Sequence, residues 1–253
     1  NPEITKNITK SSMGNKKILL GLTTTPRSDW REKIREIEKF GIKEIALFPT
    51  ALGFEERKEL YFLLEKTGME SVPHVHARGQ DMGPEELEYL IKKFETEVFN
   101  LHSSNDFQNQ PEYQNNYDYG ILKDNIYLEN TIFNPTVAEL DEYAGLCVDF
   151  SHWENFKLDP ALKKFDDELE ALAKKYKIGC AHISSVIKNP RPKFSKLDTL
   201  TLTDHFLNNF SDLDYVKKYA EYFPDIISIE LENSFEEQLK IKEYLEKIIN
   251  DQN

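Results

Sequence analysis

The stretch GLCVDFSHW, residues 145–153, carries an acidic residue and a histidine at the end of an apolar run. Asp149 ends the run, and His152 follows it three residues later. Burying a carboxylate there is costly unless a partner compensates its charge. Polar residues end other apolar runs in the same way, namely His74, His76, His102, Glu129, His182, Glu230 and Glu232. This repetition predicts that the ends of several strands meet at one chemical site.

Carboxylates and imidazoles that converge on one site would repel each other or lack partners in a medium of low dielectric. A divalent cation solves both problems, because it neutralises the carboxylates and accepts the imidazole lone pairs. Five of the six histidines lie at strand ends, and the sixth, His205, follows Asp204 in a later loop. A mixed Glu, Asp and His set without thiolates suits Mn, Zn, Co or Mg. We therefore predict a divalent metal site.

Each of these residues also has a simpler interpretation. A single histidine at a strand end is more often a hydrogen-bonded core residue than a ligand, and Glu232 could be a charge at the rim. Cys147 and Cys180 lie in apolar runs and are interpreted as buried free thiols in a reducing, cytoplasmic environment. Lys188 and Arg191 lie in a loop, where they either face solvent or bind an anion. The pattern across many strands, rather than any one residue, favours the metal site.

Eight short runs rich in β-branched residues alternate with amphipathic segments along the chain. This alternation implies parallel strands joined by right-handed crossovers, and eight repeats fit the size of a (β/α)8 TIM barrel. The rival architecture, a doubly wound open sheet, usually has a glycine-rich turn after its first strand, but GLTTTPRSDW contains no GxGxxG. The predicted strand runs are 17–22, 44–50, 70–79, 98–104, 125–131, 145–153, 178–186 and 225–233.

We predict a single barrel domain over residues 16–253, preceded by a flexible leader or cloning remnant at residues 1–15. Ser28 is the expected N-cap of the first helix, and Pro84 is the expected first residue of the third. Residues 105–124 are rich in Asn, Gln and Tyr and lack an apolar helical stripe. The connection between strands 4 and 5 is therefore expected to be shortened or irregular.

The composition limits the classes of function. The net charge of −13 over 253 residues disfavours broad binding to nucleic acid or anionic membranes. No stretch approaches the roughly 20 apolar residues of a membrane span, and no signal peptide is visible. The two cysteines form no CxxC pair, which excludes a zinc ribbon or a thioredoxin-type centre. The acidity favours a small-molecule substrate over a polyanionic one.

Four short motifs resemble the xylose isomerase-like TIM-barrel superfamily, which holds sugar isomerases and epimerases, dehydratases and family IV apurinic/apyrimidinic endonucleases. Each motif is weak alone, but their order along the chain and their places on the predicted strands are more specific. The resemblance extends over nearly the whole chain from about residue 17. The motifs are LENT at 128–131, VDFSHW at 148–153, AHIS at 181–184 and SIELEN at 228–233.

The isomerase and epimerase branch of this family implies one divalent metal ion and proton transfer through an enediol. Glu129 and Glu230 would also serve as the catalytic acid/base pair, on either side of the reacting sugar carbon. The implied metal ligands are Glu129, Asp149, His182 and Glu230. The expected substrate or anion contacts are His152, Trp153, Phe48, Tyr127, Lys188 and Arg191. The expected partner is a small sugar or sugar phosphate, and no membrane.

The endonuclease branch implies a multinuclear zinc site and a nucleic acid substrate instead. Its larger ligand set would add His76, His102, His152 and His205. That family has an Asp-x-His pair after strand seven, whereas this chain has adjacent Asp204 and His205, which puts a third metal ion in doubt. A barrel without activity that binds a polyol or a protein is a third alternative, and a lyase of the same family is a fourth. Such barrels often form homodimers, but no interface is identifiable in the sequence.

Overall fold

The computed structural model describes residues 16–107, 114–187 and 202–250. Within them, eight parallel strands close into a barrel in the order β1-β10-β7-β6-β5-β4-β3-β2. The predicted (β/α)8 barrel is therefore confirmed. The barrel strands are β1 (Lys17–Thr23), β2 (Glu44–Phe48), β3 (Ser71–His76), β4 (Val98–His102), β5 (Ile126–Glu129), β6 (Gly145–Asp149), β7 (Ile178–Ile183) and β10 (Ile226–Ile229).

Helices connect the strands and cover the outside of the barrel. They are α1 (Trp30–Phe40), α2 (Phe54–Leu64), α3 (Pro84–Phe94), α4 (Val137–Leu140), α5 (Phe150–Leu158), α6 (Lys163–Lys175) and α7 (Phe235–Asn250). More tightly wound 3-10 segments cover Ser104–Phe107, Gly120–Asn125, Pro160–Leu162 and Phe210–Tyr222. A small antiparallel pair, β8 (Ser185–Val186) and β9 (Thr203–Asp204), stands beside the barrel.

The connection between β4 and β5 is irregular, as predicted. Its described residues contain the two 3-10 segments Ser104–Phe107 and Gly120–Asn125, and no α-helix. An apolar stripe is what lets a helix dock on a barrel, and without one the described residues of this segment form only two short 3-10 segments. The described residues of this connection therefore cover their side of the barrel with loop and 3-10 turns rather than with an α-helix.

The start of α1 corrects one prediction. Asp29, not Ser28, is the N-cap, because the Asp29 carboxylate accepts a hydrogen bond from the Glu32 backbone N–H at 2.9 Å. The Ser28 hydroxyl donates instead to the Thr23 carbonyl at 2.8 Å. Both residues are good N-caps, and the local turn decides between them. Pro84 does begin α3, as predicted.

The apolar core has two layers. A large cluster fills the space between strands and helices, and a smaller one fills the inside of the barrel. The inner cluster consists of Leu19, Ala46, Phe48, Val98, Tyr127, Cys147, Cys180 and Ile226. Both cysteine thiols are free and fully buried, as predicted. Because the barrel is filled below, polar chemistry is confined to the carboxyl ends of its strands.

Three predictions fall on residues that the structure does not describe. The leader at residues 1–15 lies outside the described ranges, as do the anion-binding candidates Lys188 and Arg191. None of the helices in the described ranges combines the length and the hydropathy needed to cross a membrane.

Candidate functional site

Four side chains converge at the carboxyl end of the barrel. Glu129, Asp149, His182 and Glu230 each offer a ligand atom, and these atoms all lie within 4.8 Å of one another. Glu129 ends β5, Asp149 ends β6, and Glu230 follows β10. His182 stands between the two glutamates, its Nδ1 3.2 Å from Glu129 Oε1 and 3.3 Å from Glu230 Oε2. We call these four residues the central cluster, and they are the four predicted metal ligands.

Asp149 uses its two carboxylate oxygens differently. Its Oδ1 accepts hydrogen bonds from the backbone N–H groups of Ser151 and His152 and from the Ser151 hydroxyl. Asp149 is thus the N-cap of α5, and the helix start fixes its rotamer. Its Oδ2 is buried and has no hydrogen-bond partner among the described residues. A buried carboxylate oxygen without a partner indicates a place for a cation.

Asn130 holds the ends of β5 and β6 together. Its side-chain amide donates to the Asp149 carbonyl, and its side-chain carbonyl accepts from the Asp149 N–H, each at 3.0 Å. This paired contact fixes the backbone from which both Glu129 and Asp149 extend. Asn130 lies in the LENT motif, but nothing in its residue type alone predicts this role.

The electrostatics of the central cluster favour a positive charge. Burial opposes ionisation of Glu129, but His182 and His76 outweigh it and hold the pKa of Glu129 well below its usual value. Burial is likewise outweighed at Glu230, where His205 and His182 lower the pKa to about 2. Burial would lower the pKa of His182, but the Glu129 and Glu230 carboxylates raise it well above its usual value. The carboxylates therefore stay ionised and attract a cation.

The central cluster fits a divalent metal ion on two grounds. Its donors are three carboxylates and one imidazole, the set that Mn, Zn, Co or Mg accepts. Asp149, whose buried Oδ2 has no hydrogen-bond partner among the described residues, contributes one of these ligand atoms. Cys147 lies close, with its Sγ 3.5 Å from His182 Nε2, but this contact uses the imidazole nitrogen that faces away from the carboxylates. The Nδ1 side of His182 is the side available to a metal.

A second cluster adjoins the first and shares Glu129 with it. His76 and His102 end β3 and β4, and their Nε2 atoms lie 3.0 Å apart. The same two atoms lie 3.2 Å and 3.7 Å from Glu129 Oε2. Desolvation lowers the pKa of His102 to about 4, so its imidazole is neutral at pH 7 and its lone pair can bind a cation. The Glu129 carboxylate therefore stands between two groups of possible ligands.

His152 and His205 stand at the edge of the central cluster. His152 Nε2 lies 3.9 Å from Asp149 Oδ2, and His205 Nδ1 lies 3.9 Å from Glu230 Oε1. His205 Nδ1 is also 3.2 Å from the Glu230 carbonyl oxygen. Its neighbour Asp204 forms a 2.7 Å ion pair with Arg27. Both imidazoles thus lie near the predicted ligands, whereas the Asp204 carboxylate contacts Arg27.

The clusters open into a cavity of about 420 Å³, a volume that suits a small molecule. Most of the residues that line it carry a hydroxyl, carboxylate or imidazole group, and the apolar ones are Phe48 and Ile132. No lysine or arginine is among the described residues that line it. The other lining residues are Thr23, Thr25, Thr50, Thr131, His76, His102, His152, His205, Asp106, Glu129 and Glu230.

Two predicted substrate contacts, Trp153 and Tyr127, do not line the cavity. The Trp153 indole is fully buried against Tyr219 and Tyr222, and its Nε1 donates to Asp166 at 2.9 Å. The register of α5 turns this side chain into the outer core rather than the cavity. Tyr127 points into the filled interior below the site, where its hydroxyl accepts a hydrogen bond from Lys177. Of the three aromatic candidates, only Phe48 lines the cavity.

Sequence reasoning also missed residues that complete the site. Asp106, after β4, lines the cavity, and burial raises the pKa of its carboxyl to about 7. Asn100 donates to Glu129 Oε2 at 2.6 Å, and His74 lies beside Asn100. The period of two could have identified Asn100, because it lies two residues before His102 and so on the same face of β4. Asp106 carries no such signal, since it lies in an irregular loop.

No protein-family model and no curated protein matches the chain. Among solved structures, it is similar to a xylose isomerase domain-containing protein from Salmonella typhimurium, with 13% identity, a TM-score of 0.45, and coverage of 95% of this chain and 96% of that one. A probable 3-DHS dehydratase from Bacillus anthracis shares 14% identity, with a TM-score of 0.43 and coverage of 94% and 100%.

A D-tagatose 3-epimerase-like protein shares 20% identity, with a TM-score of 0.43 and coverage of 92% and 99%. One of the three is named for the xylose isomerase domain that the sequence motifs resemble. With identities of 13–20% and TM-scores below 0.5, these similarities assign no activity to the chain.

Proposed function

We propose that the chain is a divalent-metal-dependent isomerase or epimerase of a sugar or sugar phosphate. The observation that carries this proposal is the central cluster, in which three carboxylates and one imidazole meet within 4.8 Å and two members, Glu129 and Glu230, line a small-molecule cavity. Glu129, Asp149, His182 and Glu230 would hold the ion. When bound, it would supply Lewis acidity that makes the proton beside a sugar carbonyl acidic.

The two glutamates are the groups that would move the proton. Glu129 and Glu230 approach the imidazole of His182 from different strands, so a sugar carbon bound above it would have a carboxylate on each side. The ionised carboxylate on one side takes the proton, and the carboxylate on the other side, after it has taken a proton from solvent, gives one to the enediol, which is general acid–base catalysis. The Thr23, Thr50 and Thr131 hydroxyls in the cavity wall suit a substrate rich in hydroxyl groups.

The test combines metal content with proton exchange. Protein purified without chelators should contain one Mn, Co, Mg or Zn ion per chain by elemental analysis. A panel of aldoses and ketoses, free and phosphorylated, is then incubated in deuterated water and followed by NMR. The proposal expects solvent deuterium at the carbon next to the carbonyl of at least one sugar. Loss of that exchange on chelation, with recovery on adding metal, would tie it to the site.

A second candidate function is a multinuclear zinc phosphodiesterase of the apurinic endonuclease type. The observation that favours it is the second cluster, in which His76, His102 and Glu129 form another group of ligand atoms. The absence of lysine and arginine among the described cavity residues disfavours a DNA substrate. The ion pair between Arg27 and Asp204 also disfavours a third metal ion.

Metal stoichiometry separates the two candidates. Two zinc ions per chain, reduced to one by His102→Ala, would favour the phosphodiesterase. The next substrate would then be a duplex with one abasic site, assayed for strand cleavage. A single ion that persists in His102→Ala would favour the isomerase. No bound metal, even after incubation with excess Mn and Zn, would contradict both.

A further inference from the structure

A chain of buried polar side chains crosses the barrel directly below Glu129. Ser228 Oγ lies 2.7 Å from His74 Nδ1, and His74 Nε2 lies 3.0 Å from Asn100 Oδ1. The Asn100 amide then donates to Glu129 Oε2 at 2.6 Å. Ser228, His74 and Asn100 are fully buried, and none of them lines the cavity. Their hydrogen bonds reach the central cluster through Glu129, and the His74 ring also contacts the His182 ring, with 5.1 Å between centroids.

The direction of these hydrogen bonds is set by Glu129. An ionised carboxylate only accepts hydrogen bonds, so the NH2 group of Asn100 must face it. The side-chain oxygen of Asn100 then faces His74, which must carry a proton on Nε2 and donate it. His74 is thus committed to Asn100 and is not a free ligand. Each member of the chain depends on the next for its orientation.

The hydrogen bond from Asn100 determines which way each Glu129 oxygen points. Oε2 receives the Asn100 amide and lies beside His76 and His102, while Oε1 lies 3.2 Å from His182. Rotating this carboxylate would take one oxygen away from each cluster. Because a metal site requires its ligands to be held before the ion arrives, the Asn100 amide is well placed to hold this one.

The strands explain why this arrangement is possible. His74 and His76 are two residues apart on β3, and Asn100 and His102 are two residues apart on β4. Side chains two residues apart share a face, so the barrel interior has an upper layer of candidate ligands and a lower layer of hydrogen-bonding groups. The adjacent strands place His76 opposite Asn100 and His102 opposite Glu129.

We propose that Asn100 and His74 are positioning residues for Glu129, Asn100 directly and His74 through Asn100. The inference rests on the proposed function in one respect, since it takes Glu129 to be a metal ligand. Loss of such a supporting hydrogen bond typically weakens metal binding about 10–100-fold. The same loss is expected for Asn100→Leu, which removes the donor and keeps a side chain of similar length.

The test measures zinc and manganese affinity by competition with a chromophoric chelator. The variants are Asn100→Leu, His74→Leu, the double variant and His74→Gln. We expect weaker binding in both single leucine variants. The double variant should bind no more weakly than Asn100→Leu alone, because His74 acts through Asn100. His74→Gln should recover most of the affinity, since its amide places an N–H near the original Nε2.

Several outcomes would overturn the inference. One is unchanged affinity in Asn100→Leu, and another is a double variant whose loss is the sum of the single losses. Unfolding temperatures of the chelator-treated variants show whether the barrel is intact. If the leucine variants do not fold, Asn100→Asp keeps the shape but sets a second carboxylate against Glu129, and normal affinity in it would contradict the inference.

Ser71→Ala and the wild-type chain serve as the two controls for metal affinity. Ser71→Ala changes a polar residue at the opposite end of β3, where Ser71 donates to Glu44, and should keep full affinity. A wild-type chain that binds no metal contradicts the proposed function itself. A wild-type chain that binds metal, together with an unaffected Asn100→Leu, contradicts the positioning role alone.

Discussion

The Glu230 carboxylate belongs to the central cluster and also lines the cavity, so both a metal ion and a substrate can reach it. Its side chain is 13% exposed, more than the 3% of Glu129, and its carboxylate contacts His182 at 3.3 Å. Glu230→Gln keeps the shape but loses both the charge and the basic oxygen. We expect deuterium exchange with sugar to fall by at least about 10³-fold, within the range attributed to acid–base groups, with the unfolding temperature of the metal-free protein nearly unchanged.

Glu232→Gln is the matched control for this variant. Glu232 lies two residues further along, but its carboxylate contacts Arg27 at 2.6 Å and does not line the cavity. The control should retain metal and exchange activity. Near-normal exchange in Glu230→Gln would remove Glu230 from the mechanism.

Asp106 makes stability depend on pH. Burial raises the pKa of its carboxyl from about 4 to about 7, and its Oδ2 has no hydrogen-bond partner among the described residues. Between these pH values the unfolded chain ionises and the folded chain does not. The stability that Asp106 contributes is therefore present below pH 4 and is lost as the pH rises through 7. At one pKa unit per roughly 1.4 kcal/mol, the loss is on the order of 4 kcal/mol at most.

Asp106→Asn should remove this loss. In metal-free protein, its free energy of unfolding in urea should exceed that of the wild type by more at pH 8 than at pH 5. Asp118→Asn removes a surface charge from the same connection, where the side chain is 86% exposed, and serves as the control for net charge. An Asp106→Asn difference that is the same at both pH values would contradict the shifted pKa.

At the scale of elements, Arg27 joins three connections around the mouth. It lies between β1 and α1, and contacts Asp204 at the end of β9 at 2.7 Å and Glu232 after β10 at 2.6 Å. Both carboxylates are almost fully buried, at 3% and 5% exposure. Arg27→Leu removes this guanidinium from beside the two buried carboxylates. We expect it to lower the free energy of unfolding by roughly 1–3 kcal/mol, because the two carboxylates are buried while the Arg27 side chain itself is 50% exposed.

Arg31→Leu is the comparison for an ion pair whose carboxylate is exposed rather than buried. Arg31 forms a two-bond ion pair with Glu59, but both side chains are about half exposed. An exposed pair of this kind contributes at most about 1 kcal/mol. Chemical denaturation of both variants gives the two losses side by side. Equal losses in the free energy of unfolding would mean that the contacts of Arg27 with Asp204 and Glu232 contribute no more than an exposed ion pair.

The elements also show what the sequence could predict. Strand ends such as Glu129 and Asp149 were predictable, because a period of two places them on one face and parallel strands bring that face to one edge. The hydrogen bond between Asn100 and Glu129 was not, because it depends on the register between β4 and β5. Trp153 was misplaced for a similar reason. Successive residues of a helix point about 100° apart, and the residue at which α5 begins was unknown.

At the scale of the whole molecule, the acidic net charge and the central cluster are expected to bind a cation with different specificity. A net charge of −13 attracts any divalent ion weakly, whereas the central cluster should bind one ion specifically. Specific binding to the folded state stabilises it by about 4 kcal/mol at 1,000 times the dissociation constant. For a chain of this size, that raises the unfolding temperature by roughly 8–16 °C.

Calorimetric scans with and without Mn or Zn at matched ionic strength test this difference. Chelation of the wild type should lower the unfolding temperature, and adding the metal back should restore it. Asp149→Asn keeps most of the acidic charge but removes the ligand whose Oδ2 lacks a hydrogen-bond partner among the described residues, so its scan should not respond to metal. A response as large as that of the wild type would assign the stabilisation to the charge of the whole surface. It would also remove Asp149 from the metal site.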